Sequence, residues 1–146
     1  MANAVIDQAL RSMPYYAILG VRTEEAQPGH VVLRIPFTRT VTNADGAISS
    51  GVLCSVGELA AAVLVATHPL IGKYRNFQKS TKIKYYHPAK ADVTAHCQLT
   101  PEMANNVEAY LMRGMPARLY VPVKVLDGHG QDVAELVVHF SFKAES

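Results

Sequence analysis

Between Val52 and Ala66 the chain carries a single charge, Glu58, in a run otherwise made of Val, Leu, Ala, Gly, Cys and Ser. The spacing predicts one long helix over Gly51–Thr67, closed by His68-Pro69. Apolar residues cover most of its circumference, so it needs burial nearly all round. A chain of 146 residues must supply that cover from its remaining segments. Glu58 then sits in a helix interior, where a carboxylate is rarely found without a partner or a task.

The rest of the sequence reads mainly as strands. Asn3–Met13 has helical apolar spacing and is stopped by Pro14. Gly20–Ala26 and His30–Phe37 are strands around a Gln27-Pro28-Gly29 turn, and Phe77–Tyr86 and Val93–Leu99 are two more. Pro101–Leu111 is a short helix between Pro101 and Gly114. Arg118–Leu126 and Asp132–Phe142 close the chain as a hairpin. In the last strand Ala134, Leu136, Val138, Phe140 and Phe142 face one way, and Val133, Glu135, Val137, His139 and Ser141 the other. Such alternation fits an antiparallel sheet covered on one face. The expected fold class is α+β, one domain over residues 1–146, a curved antiparallel sheet wrapped around a central helix.

Composition narrows the function. With 49% hydrophobic and 18% charged residues the chain is globular rather than disordered. The N-terminal segment has no basic, apolar export signal, and the longest apolar run, Leu59–Ala66, is too short to span a bilayer. The expectation is a cytoplasmic protein with no membrane partner. Cys54 and Cys97 form neither a metal pair nor a disulfide framework, and both read as packing thiols. No metal or resident cofactor is expected, since the six histidines fall at no ligand spacing.

Net charge is only +2, yet Lys73, Arg75, Lys79, Lys82, Lys84 and Lys90 occur in one stretch without an acid among them. This is either a solvated strand face or a rim that binds a phosphorylated ligand. No nucleic-acid module accompanies it, so nucleic acid is not an expected partner.

The polar run Asn43-Ala44-Asp45-Gly46-Ala47-Ile48-Ser49-Ser50-Gly51 leads into the long helix. Such a loop presents backbone N–H groups to a substrate oxygen, with Glu58 two turns further on. The N–H groups of Ser50 and Gly51 are candidates for an oxyanion hole, and Glu58 for a general base or nucleophile. Asn43 either orients a water or braces the loop. The same residues also make ordinary turns and caps, and Glu58 also suits a structural carboxylate.

With these residues in this order, the chain resembles the hotdog-fold superfamily of acyl-CoA thioesterases, especially its phenylacetyl-CoA thioesterase-like branch. That branch has a loop Asn-x-x-Gly-x-x-His-Gly-Gly before a helix bearing Asp or Glu. Asn43, Gly46 and Gly51 match it, Ser49 and Ser50 stand in place of the His and the first Gly, and Glu58 falls on the carboxylate. Thr81–Ala89 resembles the family's strand ending in Pro-Ala, and Val125–Ala134 its last hairpin.

The resemblance implies a homodimer or homotetramer acting on a thioester of coenzyme A or acyl carrier protein, with coenzyme A entering as part of the substrate. It implies catalytic roles for Glu58, Gly51 and Asn43, and substrate contacts at Ser49 and Ser50. A polar residue from the partner's following strand is implied at Gln78 or Ser80, and phosphate contacts at Lys82 and Lys84. Serine in place of the loop histidine leaves room for a non-catalytic thioester-binding protein. A thioester hydratase or dehydratase ranks lower, because those reactions usually pair His with a carboxylate.

Overall fold

A computed structural model describes residues 2–144. In chain order the elements are α1 (Ala2–Arg11), α2 (Pro14–Leu19), β1 (Arg22–Gln27), β2 (His30–Ile35), a 3-10 turn (Arg39–Val41) and α3 (Ser50–Ala66). There follow β3 (Asn76–Tyr85), β4 (Val93–Gln98), α4 (Pro101–Met112), β5 (Ala117–Asp127) and β6 (Asp132–Phe142). The strands form one sheet in the order β1-β2-β4-β5-β6-β3, every neighbouring pair antiparallel.

Helix α3 lies against one face of this sheet and touches β2, β3, β4, β5 and β6. Val56, Ala60, Ala61 and Leu64 are fully enclosed. The sheet-facing residues of β6 (Ala134, Leu136, Val138, Phe140, Phe142) are all buried, as their alternation predicts. Val133 departs from it: the register shift opposite Val125 and Leu126 makes it the extra residue of a bulge, and its side chain is buried too. Gly57 permits the close approach of α3 to the sheet. A Cβ there would lie 2.7 Å from both Leu136 methyls.

Pro14 does not merely end the first helix. It occupies the first turn of α2, a helix absent from the sequence reading, which closes on Gly20 at φ 71°. The first strand accordingly begins at Arg22 rather than Gly20. Among the described residues no helix is long and apolar enough to cross a membrane.

β1 and β3 form the two edges of the sheet. Among the described residues β3 is paired only with β6, and of its own residues only Thr81 and Ile83 are partly buried. A bulge interrupts the ladder: Gln78 faces Phe140 and Ser80 faces His139, leaving Lys79 unpaired. The extra residue brings Gln78, Thr81, Ile83 and Tyr85 onto the face that meets α3.

Candidate active site

Glu58 is partly buried on α3, and β3 meets it with two polar side chains. Gln78 Nε2 donates to Glu58 Oε2 at 2.6 Å, and Thr81 Oγ1 donates to the same oxygen at 2.5 Å. Gln78 Nε2 also donates to Thr81 Oγ1 at 2.9 Å, closing a triangle. Among the described residues Oε1 has no hydrogen-bond partner, and no cation lies within ion-pair distance of the carboxylate. Glu58 is thus held by one oxygen and open at the other. These contacts form within one chain; the sequence reading looked for the polar residue on a partner's strand. It also missed Thr81, which regular alternation from Gln78 would place on the far face.

The negative charge of Glu58 is felt by its neighbours. Burial, and then that charge, raise the Tyr16 hydroxyl and the Cys54 thiol above their ordinary values. Tyr85 is raised as well, first by burial and then by Cys54 and Glu58. A thiol raised in this way is a poor nucleophile at neutral pH, which agrees with the reading of Cys54 as a packing residue. Cys97 is buried, and its thiol is pushed up to about 12.

The loop before α3 is built on Asn43. Its Oδ1 accepts from the N–H groups of Asp45 at 2.9 Å and Ala47 at 3.1 Å, and its own N–H donates to the Ala47 carbonyl at 2.7 Å. Gly46 takes the left-handed conformation, φ 77°, that this turn requires. Among the described residues no hydrogen bond joins Asn43 to Glu58, so here it braces the loop.

The loop delivers the chain to the first turn of α3 with two donors open. Val52 and Leu53 both donate to the Ser49 carbonyl, whereas among the described residues the N–H groups of Ser50 and Gly51 have no acceptor. Ser49 makes no side-chain cap bond, so the turn is not capped from within. A Cβ built on Gly51 meets only Ser49 Oγ, at 3.9 Å, so the approach to its backbone is open. Beside this turn lies a cavity of 280 Å³, lined by Ser50, Leu53, Tyr85 and His87 among others.

Glu58 lies seven positions after Gly51, nearly two full turns, so both lie on one side of α3, about 10 Å apart along its axis. Helical side chains tilt toward the N-terminus, which brings the carboxylate back toward Gly51. The remaining predicted residues divide by face. Ser80, Lys82 and Lys84 pair with His139, Val137 and Glu135 on the sheet face away from α3. Lys84 Nζ lies 5.7 Å from the Tyr86 ring, whose hydroxyl donates to Glu135 on that same outer face. These three residues do not converge with Glu58 in this chain.

Among the described residues no group of three His, Cys, Asp or Glu side chains is placed to hold a metal ion. His96 is partly buried, with its pKa lowered by burial and by His30, and its Nε2 meets Thr94 Oγ1 at 2.8 Å.

Several solved structures share this architecture. A Pseudomonas aeruginosa protein, described as of unknown function and a probable thioesterase, superposes with a TM-score of 0.88 at 23% identity, covering 96% of this chain and 94% of that one. A Staphylococcus aureus thioesterase gives 0.72 at 18% identity over 90% of this chain and 99% of that one. Zebrafish thioesterase superfamily member 2 gives 0.73 at 16% identity, covering 97% of both chains. No curated protein matches the sequence. The six-stranded sheet around α3 is therefore a hotdog fold, and its structural neighbours are thioesterase-superfamily proteins. The family model of DUF4442, a domain of unknown function, matches residues 2–141, and the chain belongs to that family.

Proposed function

We propose that the protein hydrolyses acyl thioesters, with Glu58 as general base or nucleophile. One observation carries this reading: β3 holds Glu58 by Oε2 alone, leaving Oε1 open on the helix face that begins with two unpaired N–H groups. A thioester carbonyl seated on the N–H groups of Ser50 and Gly51 would have its carbon between them and the carboxylate. A water on Oε1 attacks that carbon and gives its proton to Glu58. The negative charge gathers on the carbonyl oxygen, where the two donors meet it. Collapse breaks the C–S bond, and the thiolate leaves with a proton. In the nucleophilic variant Oε1 attacks directly and water then hydrolyses the mixed anhydride.

The phenylacetyl-CoA thioesterase-like branch supplies the likeness in the loop, with Ser49 in the place of its histidine. The free edge of β3 is the natural seat for a second copy of the chain, giving at least a homodimer, since an edge strand of 10 residues invites pairing on its open side. The cations of Lys73–Lys90 suit the phosphates of coenzyme A or an acidic acyl carrier protein. On this reading Ser80, Lys82 and Lys84 serve the carrier, not the reacting carbonyl.

Thiol release from short, long and aromatic acyl-CoA esters tests the proposal, with wild type and Glu58→Gln compared. Turnover that collapses in the variant is expected. Equal activity in both removes Glu58 from the chemistry. Binding without turnover by the wild type identifies instead a non-catalytic thioester-binding protein, the reading that Ser49 favours.

A further inference from the structure

We infer that Tyr85 is a positioning residue for this reaction, acting through the peptide between Ser50 and Gly51. The inference rests on the thioesterase reading for its chemistry, but the contact behind it stands by itself. Tyr85 Oη donates to the Ser50 carbonyl at 3.1 Å. That carbonyl belongs to the same peptide unit as the Gly51 N–H, one of the two donors left open at the start of α3. A hydrogen bond to one end of a peptide polarises the other and fixes the direction in which it points. Tyr85 therefore aims and strengthens the Gly51 donor without touching the substrate oxygen.

The origin of Tyr85 gives this contact its weight. It is the last residue of β3 and shares the inner face of that strand with Gln78 and Thr81. A single strand thus holds Glu58 by its carboxylate at one end and the first turn of α3 by a carbonyl at the other. The spacing between base and donor is set by β3 as well as by α3. A second tyrosine secures the adjoining carbonyl from outside the sheet. Ser55 Oγ donates to the Gly51 carbonyl at 2.9 Å and lies 2.5 Å from the Tyr15 hydroxyl. Since the serine proton is already engaged, Tyr15 is the donor in that pair.

Losing an oxyanion donor costs about a hundred- to a thousandfold, and one polarising bond strengthens a donor by roughly a tenth to a third. Tyr85→Phe is therefore expected to lower kcat on an acyl-CoA ester about two- to eightfold, with KM essentially unchanged. The ¹H–¹⁵N spectrum supplies a second readout that does not depend on turnover. Gly51→Ala identifies the Gly51 amide by removing its peak. In Tyr85→Phe that amide proton should move upfield while the β6 amides stay in place. An unchanged kcat with an unmoved Gly51 peak overturns the inference while leaving the hydrolase intact. So does a rise in KM at constant kcat, which marks Tyr85 as a wall of the binding site. So does a shift spread across the sheet, which marks a structural role. If wild type releases no thiol from any ester, the thioesterase reading fails, and the Gly51 peak alone decides whether Tyr85 governs this peptide.

Discussion

Gln78 donates to the open helix carboxylate of Glu58 at 2.6 Å across 20 residues of a single chain. The bond makes β3, an edge strand, the support of the candidate base. An exposed strand would ordinarily be free to fray; this one is tied to the helix at the position where the chemistry is proposed.

Thr81 shares that support, and its removal should show in the rate. Thr81→Val deletes one charge-assisted hydrogen bond, and kcat for thioester hydrolysis should fall about ten- to a hundredfold. Gln78→Leu should cost a similar amount, and the double variant less than the product of the two, because both groups bond the same oxygen. Steady-state thiol release on the three variants checks this, and strict additivity would argue against a shared network.

Asn43 offers a sharp contrast between bracing and catalysis. Asn43→Asp keeps the oxygen that accepts from Asp45 and Ala47, and should retain wild-type stability and activity. Asn43→Ala removes it, and should lose about 1–2 kcal/mol in urea unfolding. A loss of activity in Asn43→Asp without loss of stability would return the residue to the water-orienting role.

The two glycines of α3 should differ in their tolerance of added bulk. Gly57→Val forces a side chain against the buried Leu136 and should destabilise by about 1–3 kcal/mol. Gly51→Ala meets only Ser49 Oγ, at ordinary contact distance, and should change stability by less than about 0.5 kcal/mol. Urea midpoints of the two variants, measured side by side, settle the comparison.

Cys97 predicts an alkaline limit to stability. Burial raises its thiol from 9.0 to about 12, so above pH 9 the unfolded chain releases a proton that the folded chain keeps. Fewer protons on the unfolded state mean that stability falls as pH rises, by about 1.4 kcal/mol per unit at most, until the folded thiol also titrates near 12. Below pH 9 the contribution is flat. Cys97→Ala should lose that part of the slope, as read from urea midpoints at pH 8, 9, 10 and 11 for both proteins.

Much of the fold was legible because its signals are local. The apolar circumference of Val52–Ala66 demanded a wrapped helix, and the alternation of Ala134 through Phe142 placed the covered face of β6. Helix α2 is hidden because Pro14 reads as a stop, though a proline followed six residues later by Gly20 is also how a short helix starts and ends. The candidate site was half legible. Glu58 stood out as a lone charge and Gln78 by its place in a familiar strand. Thr81 and Tyr85 were hidden as companions of Gln78, because all three share a face only through a bulge that the pairing of β3 with β6 creates. Alternation along the sequence sets Thr81 and Tyr85 beside Ile83 and opposite Lys82 and Lys84, but it puts Gln78 on the other face and cannot reveal what Tyr85 reaches.

The unpaired Lys79 also bears on how this strand can change length. The ladder does not count it, so deleting it would leave Gln78, Thr81 and Tyr85 on the faces they now hold. Deleting Ser80, the one paired residue between Gln78 and Thr81, would instead have to be absorbed by straightening the strand at Lys79. β3 thus holds one residue of slack, and family members shorter by one at this point are expected to carry the same contacts on an unbulged edge.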